Sequence, residues 1–219
     1  MRANISRERR LAFDSVAEIY DLGRPRFSTV VIDHLTEDAQ LNPGDVILEI
    51  GAGTGQLTEG LVAAGFGVTA LEPGARLAAR LRARVGEQVQ VVEVSFEAFE
   101  GAGPYRAVTS ANAFHWVDPA VSYAKAAAVL GDGGHLALIW NFPILRDGSL
   151  QARLNAEAFT GRLKDFARDP TDYRGQLETL LIAGREELDA SGAFQDTFWR
   201  LLDDTLQLSR EGYVDLLNS

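Results

Sequence analysis

The amino-acid sequence predicts an α/β protein built on a doubly wound, mainly parallel sheet with helices on both faces. Three observations predict it. Short apolar, β-branched runs alternate with helix-period segments five times, joined by short links. One of those runs, Val46-Ile47-Leu48-Glu49-Ile50, passes straight into Gly51-Ala52-Gly53-Thr54-Gly55, with glycines at alternate positions. A second run, Val68 to Leu71, closes on an acid, Glu72. Ligands of nucleotide type bind at such junctions, at the carboxyl edge of an open sheet.

Each element follows in order. Residues from about 6 to 37 read as amphipathic helix, with Leu11, Val16, Ile19 and Tyr20 before a break at Gly23-Arg24-Pro25 and Val30, Val31 and Leu35 after it. Asn42-Pro43-Gly44-Asp45 is a turn that feeds the first strand. After the glycines, Leu57, Leu61 and Ala64 recur at helical spacing until Gly65. A helix from Ala75 to Val85 places Leu77, Leu81 and Val85 on one face. Arg76, Arg80, Arg82 and Arg84 lie largely on its other sides, which reads as a solvated face. The third strand is Val89 to Val94, running into Ser95-Phe96-Glu97. The fourth is Ala107 to Ala111, running into Asn112-Ala113-Phe114-His115-Trp116. A helix from about Pro119 to Leu130 precedes a fifth strand, His135 to Trp140. Residues 147–193 are charged and largely helical in pattern, punctuated by Arg168-Asp169-Pro170 and Gly184. Phe194 to Leu208 is the candidate sixth strand.

Composition narrows the function classes. The chain has 219 residues, 46% hydrophobic and 24% charged, which is ample for one core. Its formal net charge is -10, so general attraction to nucleic acid or an anionic membrane is not expected. With no cysteine, disulfides and thiolate metal sites are excluded. His34 and His135 lack the surrounding spacing of a metal site, so no metal is expected. The first ten residues are charged and lack the apolar core of a signal peptide, and no apolar run is long enough to span a bilayer. A cytoplasmic protein is expected.

The glycine spacing carries the chemistry. A dinucleotide fingerprint reads G-x-G-x-x-G with a pyrophosphate on the helix N-terminus. Here the order is G-x-G-x-G after Glu49, and no P-loop lysine follows. An acid after the second strand, where Glu72 stands, serves the ribose of nicotinamide and of S-adenosylmethionine cofactors alike. The loop spacing favours the sulfonium cofactor. Gly51, Gly53 and Gly55 are expected to face it. Glu49 either orients the loop amides or acts through a water near the ligand's amino group. Glu72 is expected to accept from both ribose hydroxyls, with capping of the next helix as the other reading. Phe96 either stacks on adenine or belongs to the core. Ser95 and Glu97 offer polar contacts to the adenine edge. His115 is the candidate general base, since imidazole titrates near neutrality; its other reading is a side chain that shapes the floor of the site. Trp116 is expected to pack around the cofactor.

Together these segments resemble the class I S-adenosylmethionine-dependent methyltransferases, in particular the small bacterial branch called type 11 or type 25. The resemblance rests on Glu49 to Gly55, Glu72-Pro73, Ser95-Phe96-Glu97, Ser110 to Trp116 and Trp140-Asn141, with Tyr20-Asp21 and Arg24-Pro25 upstream. It implies a Rossmann-like fold, with S-adenosyl-L-methionine held by Tyr20, Arg24, Glu49, Gly51, Ala52, Gly53, Gly55, Glu72, Pro73, Ser95, Phe96, Glu97, Ala111, Asn112, Ala113 and Trp116. It implies methyl transfer to a small-molecule acceptor. A methyltransferase-fold binding module without turnover and a nicotinamide-dependent oxidoreductase are the alternatives. One domain over 1–219 is expected: an N-terminal helical cap (1–40), a cofactor core (45–141), a helical cap insertion (147–193) and an incomplete C-terminal part (194–219). Two departures stand out. Arg106 replaces an acid common at the start of the fourth strand, and no residues remain for the usual last antiparallel strand. The edge beside His135 to Trp140 would then be open to association, so a homodimer is one expectation.

Overall fold

The computed structural model describes residues 26–142, 173–203 and 205. Tyr20 and Arg24, the helix expected before them and the segment 143–172 lie outside the described residues. The chain divides into two compact units, Met1–Trp140 with Leu201–Ser219, and Asn141–Arg200.

In the first unit the described elements run α1 (Thr29–Asp38), β1 (Val46–Ile50), α2 (Thr58–Ala63), β2 (Gly67–Leu71), α3 (Ala75–Val85), β3 (Val89–Val92), β4 (Tyr105–Ala111), α4 (Ser122–Val129) and β5 (Leu130–Ile139). The five strands form one sheet in the order β3-β2-β1-β4-β5, and every pairing is parallel. The fold class read from the sequence is borne out. Strand order reverses between β1 and β4, so the crevice of a doubly wound sheet opens beyond their carboxyl ends.

Burial explains why these runs are strands. Ile47, Val68, Ala70, Val89 and Ala107 form one cluster with Ile32 and Leu35 of α1, Leu61 of α2, and Leu81 and Val85 of α3. The alternate residues Leu48, Ile50, Leu71 and Val108 point the other way and are equally buried. Strands buried on both faces read as continuous apolar runs, as these do. The helix α3 occupies the range the periodicity predicts, because Leu77, Leu81 and Val85 return to the same face every turn. Gly86 ends it in the left-handed region, at φ 62°.

Arg106 is accounted for: its guanidinium donates to the carbonyls of Ala39 (3.3 Å) and Gly133. No acid is needed there. Arg82 pairs with Glu93, and Arg84 lies 3.7 Å from Glu59. β5 begins earlier than predicted. Leu130 follows α4 directly and pairs with Tyr105, and a register irregularity then separates it from the His135–Ala107 pairing.

The second unit contains α5 (Tyr173–Ser191). Gly184 does not interrupt it, contrary to the sequence reading. One glycine costs a helix interior about 1 kcal/mol relative to alanine, and its Leu, Ala, Arg and Glu neighbours favour helix. The candidate sixth strand does not form in the described residues of its range, 194–203 and 205. Asp196 has φ 55°, which breaks extended backbone, and the Thr197 hydroxyl donates to Asp189 of α5 at 2.7 Å. Among the described residues no helix is long and apolar enough to cross a membrane.

Candidate active site

Four segments end at the carboxyl edge of the sheet: the loop after β1, the end of β2, the turn after β3 and the turn after β4. Hydrogen bonds lock the first two together. Gly51 and Ala52 both donate their N–H groups to the Leu71 carbonyl, at 2.9 and 3.0 Å. Gly53 N–H donates to Glu72 Oε2 and Gly74 N–H to Glu72 Oε1, both at 2.8 Å. Glu72 is 6% exposed. Its carboxylate therefore ties the glycine loop to the start of α3, so the helix-start contact weighed in the sequence is present.

The glycines differ in what they face. Gly51 has φ 69°, and a Cβ there would meet Ala113 Cβ at 2.5 Å, so the loop lies flush against the turn after β4. At Gly55 a Cβ would meet Leu81 of α3 at 2.8 Å. The missing side chain at Gly55 thus lets the loop approach α3.

Glu49 is 1% exposed at the end of β1 and accepts from the Thr58 hydroxyl at 2.7 Å. Burial pushes its pKa from the ordinary carboxylate range up to about 8; the Thr58 hydrogen bond opposes this, and the charge of Glu72 adds to it. Thr58 has no signal in the sequence beyond a helix start. Its role appears only when α2 folds back over β1.

Beyond β3, Phe96 is 2% exposed, with the Lys125 ammonium 5.4 Å from its ring centroid. Of its two readings, the core one fits this burial, since both faces of a stacking ring cannot be covered already. Ser95 leads into a short 3-10 turn, Phe96–Ala98. Glu97 Oε1 accepts from Asp118 N–H at 3.0 Å, and Glu97 O accepts from Lys125 Nζ at 2.9 Å. Lys125 lies far along the chain on α4, and sequence reading gave no reason to single it out.

Beyond β4, Asn112 has φ 54° and donates its N–H to Ile139 O at 2.9 Å. Asparagine tolerates this left-handed turn better than most residues. Phe114 is fully buried, its ring 5.3 Å from that of Tyr123. That anchor leaves Ala111, Asn112, Ala113, His115 and Trp116 half-buried along the edge. The His115 and Trp116 rings lie 4.9 Å apart. Pro73 is exposed.

Fold and site define a doubly wound α/β protein with a glycine loop at its switch point. Residues 47–134 match the family described as a methyltransferase domain. An uncharacterized methyltransferase of Mycobacterium bovis is 37% identical over 163 residues, 74% of this chain and 64% of that protein. The chain thus spans under two thirds of that relative's length. One from Bacillus cereus is 30% identical over 158 residues, 71% of this chain and 72% of its own. In fold, the chain resembles a proposed S-adenosyl-L-methionine-dependent methyltransferase of Methanococcus maripaludis, with TM-score 0.55, 17% identity and 88% of each chain covered. This chain belongs to the methyltransferase family, as its sequence motifs lead one to expect.

Proposed function

We propose that this chain moves a methyl group from S-adenosyl-L-methionine to a small-molecule acceptor by in-line displacement. One observation carries the reading. The segments at the sheet edge, residues 49–57, 72–74, 95–97 and 111–116, contain three carboxylic acids and no lysine or arginine. Of these acids Glu72 is a buried side chain held by two N–H groups, which suits a sulfonium ligand better than a pyrophosphate, and the nearby Lys125 ammonium is already taken up by Glu97 O at 2.9 Å. The net charge of -10 likewise argues against a nucleic-acid acceptor.

When bound, the cofactor supplies an already activated methyl group, so the protein's task is alignment and exclusion of water. Gly51, Ala52, Gly53 and Gly55 hold the methionine end. Glu72 accepts from the ribose hydroxyls while its N–H partners keep it in place. Pro73, Ser95 and Glu97 flank the adenine, chiefly through backbone groups, and Phe96 fixes that turn from beneath. Ala111, Asn112, Ala113 and Trp116 would line the side of the site that receives the methyl end of the cofactor. His115 removes a proton where the acceptor is a hydroxyl or amine that must lose one early.

Calorimetric titration tests the reading. S-adenosylmethionine and its demethylated product should each bind one to one, and a small-molecule acceptor panel should show turnover. Binding without turnover on any acceptor would favour a binding module. Binding of a nicotinamide dinucleotide in their place would overturn the assignment.

A further inference from the structure

Two buried carboxyl groups lie under the glycine loop, and their surroundings are unequal. Glu72 takes two backbone N–H donors, from Gly53 and Gly74. Glu49 takes one hydroxyl, from Thr58 on α2. The neighbouring strands add nothing. Ala70 stands beside Glu49 on β2, and Thr109 stands beside it on β4 with a buried hydroxyl that has no hydrogen-bond partner. The other charge on α2, Glu59, lies against Arg26 at 2.8 Å and Arg84 at 3.7 Å. Glu72 is the neighbouring charge that acts on Glu49, and it acts unfavourably. A buried carboxylate needs several donors or an opposite charge. Glu72 has the donors. Among the described residues Glu49 has neither, so within the pair Glu72 is the anion and Glu49 the neutral acid.

We infer that Glu49 is a proton-release site that tells the charged methyl donor from its uncharged product: binding of the sulfonium cofactor ionises Glu49, and loss of the sulfonium charge lets it take the proton back. The inference rests on the cofactor reading above. S-adenosylmethionine carries a sulfonium and an ammonium against one carboxylate, and its demethylated product lacks the sulfonium. An opposite charge brought within about 4–6 Å of a carboxyl group lowers its pKa by about one to three units. That is enough to take Glu49 from mostly protonated to mostly ionised near neutral pH. The proton passes to the buffer, and the carboxylate becomes a counter-ion within the site. Once the methyl group has left, that counter-ion has less to pair with. It picks up a proton again, and the grip on the product weakens.

Calorimetry near neutral pH in phosphate and in Tris, which differ in ionisation enthalpy, counts protons released on binding. The wild type should release about half to one proton per S-adenosylmethionine bound and distinctly less per demethylated product. Glu49→Gln, close in shape and unable to ionise, should release none attributable to this site. It should also lose about tenfold of the preference for donor over product, the equivalent of one pKa unit. Should that variant fail to fold, infrared difference spectra of the wild type read the same event, as loss of a protonated-carboxyl band on adding the donor but not the product. Equal proton counts and unchanged infrared bands with both ligands would overturn the inference and leave the functional reading intact. Failure of the wild type to bind either ligand would overturn both.

Discussion

The carboxyl ends of β1 and β5 meet the same edge of one sheet but are built to different standards. β1 is buried along Ile47 to Ile50, has partners on both sides, and feeds a loop whose Gly51, Ala52 and Gly53 amides are each held. β5 is paired with β4 alone among the described strands and is partly exposed from Gly134 to Ile139. The difference teaches where precision is required. A ligand common to a whole family needs a fixed cradle. The β5 end, with one paired neighbour among the described strands, is held by fewer such contacts.

The sharpest way to break this comparison is Gly51→Val. It combines a left-handed φ with a Cβ inside van der Waals contact of Ala113, so it should cost about 2–6 kcal/mol of stability and abolish cofactor binding. Ile139→Val on β5 should cost about 1 kcal/mol and leave binding unchanged. Denaturant titration and calorimetry on both variants decide it; similar losses would show the two ends to be equally constrained.

Next in size is the turn after β4, where the contrast lies within three residues. Phe114→Ala empties a fully buried site and should cost about 3–5 kcal/mol, with function lost through unfolding. Trp116→Ala should leave the melting temperature near that of the wild type while slowing turnover. A stability loss at Trp116 matching that at Phe114 would make the whole turn structural.

Glu72→Ala should weaken cofactor binding by about 1.5–3 kcal/mol, the scale of hydrogen bonds to a charged group. A 2′-deoxyribose analogue should lose less affinity against the variant than against the wild type. Equal losses would mean that Glu72 serves the loops alone.

The last effect is read as a slope. Glu49 in the folded chain keeps its proton up to about pH 8, against an ordinary value of 4.5. Between those values the folded form binds more protons than the unfolded form. Stability is therefore full below the ordinary value and falls as pH rises, by up to about 1.4 kcal/mol per pH unit. Glu49→Gln should flatten that part of the ligand-free protein's stability profile; an unchanged slope would assign it to other groups.

What could be read from the sequence follows the same divide. The strands at the centre of the sheet and α3 were legible because burial writes itself into periodicity. The glycine loop was legible as a tight turn from its spacing, but the close approaches that Gly51 and Gly55 serve, to Ala113 and Leu81, were not. The start of β5 at Leu130 was not, since it depends on a pairing irregularity with Tyr105. The absence of strand in 194–203 was hidden too, because Phe198 and Trp199 resemble strand residues while the hydrogen bond from Thr197 to Asp189 decides otherwise. Burial of Phe96 and the isolation of Glu49 are properties of packing, so no local pattern announces them.

The shared carboxylate of Glu72 has one more consequence. Gly53 and Gly74 belong to different connections of the fold, yet their N–H groups end on the two oxygens of a single side chain. A fluctuation that swings that side chain outward exposes both amides at once. Their hydrogen exchange with solvent is therefore governed by one opening event, and the two connections breathe as one unit despite their separation along the chain.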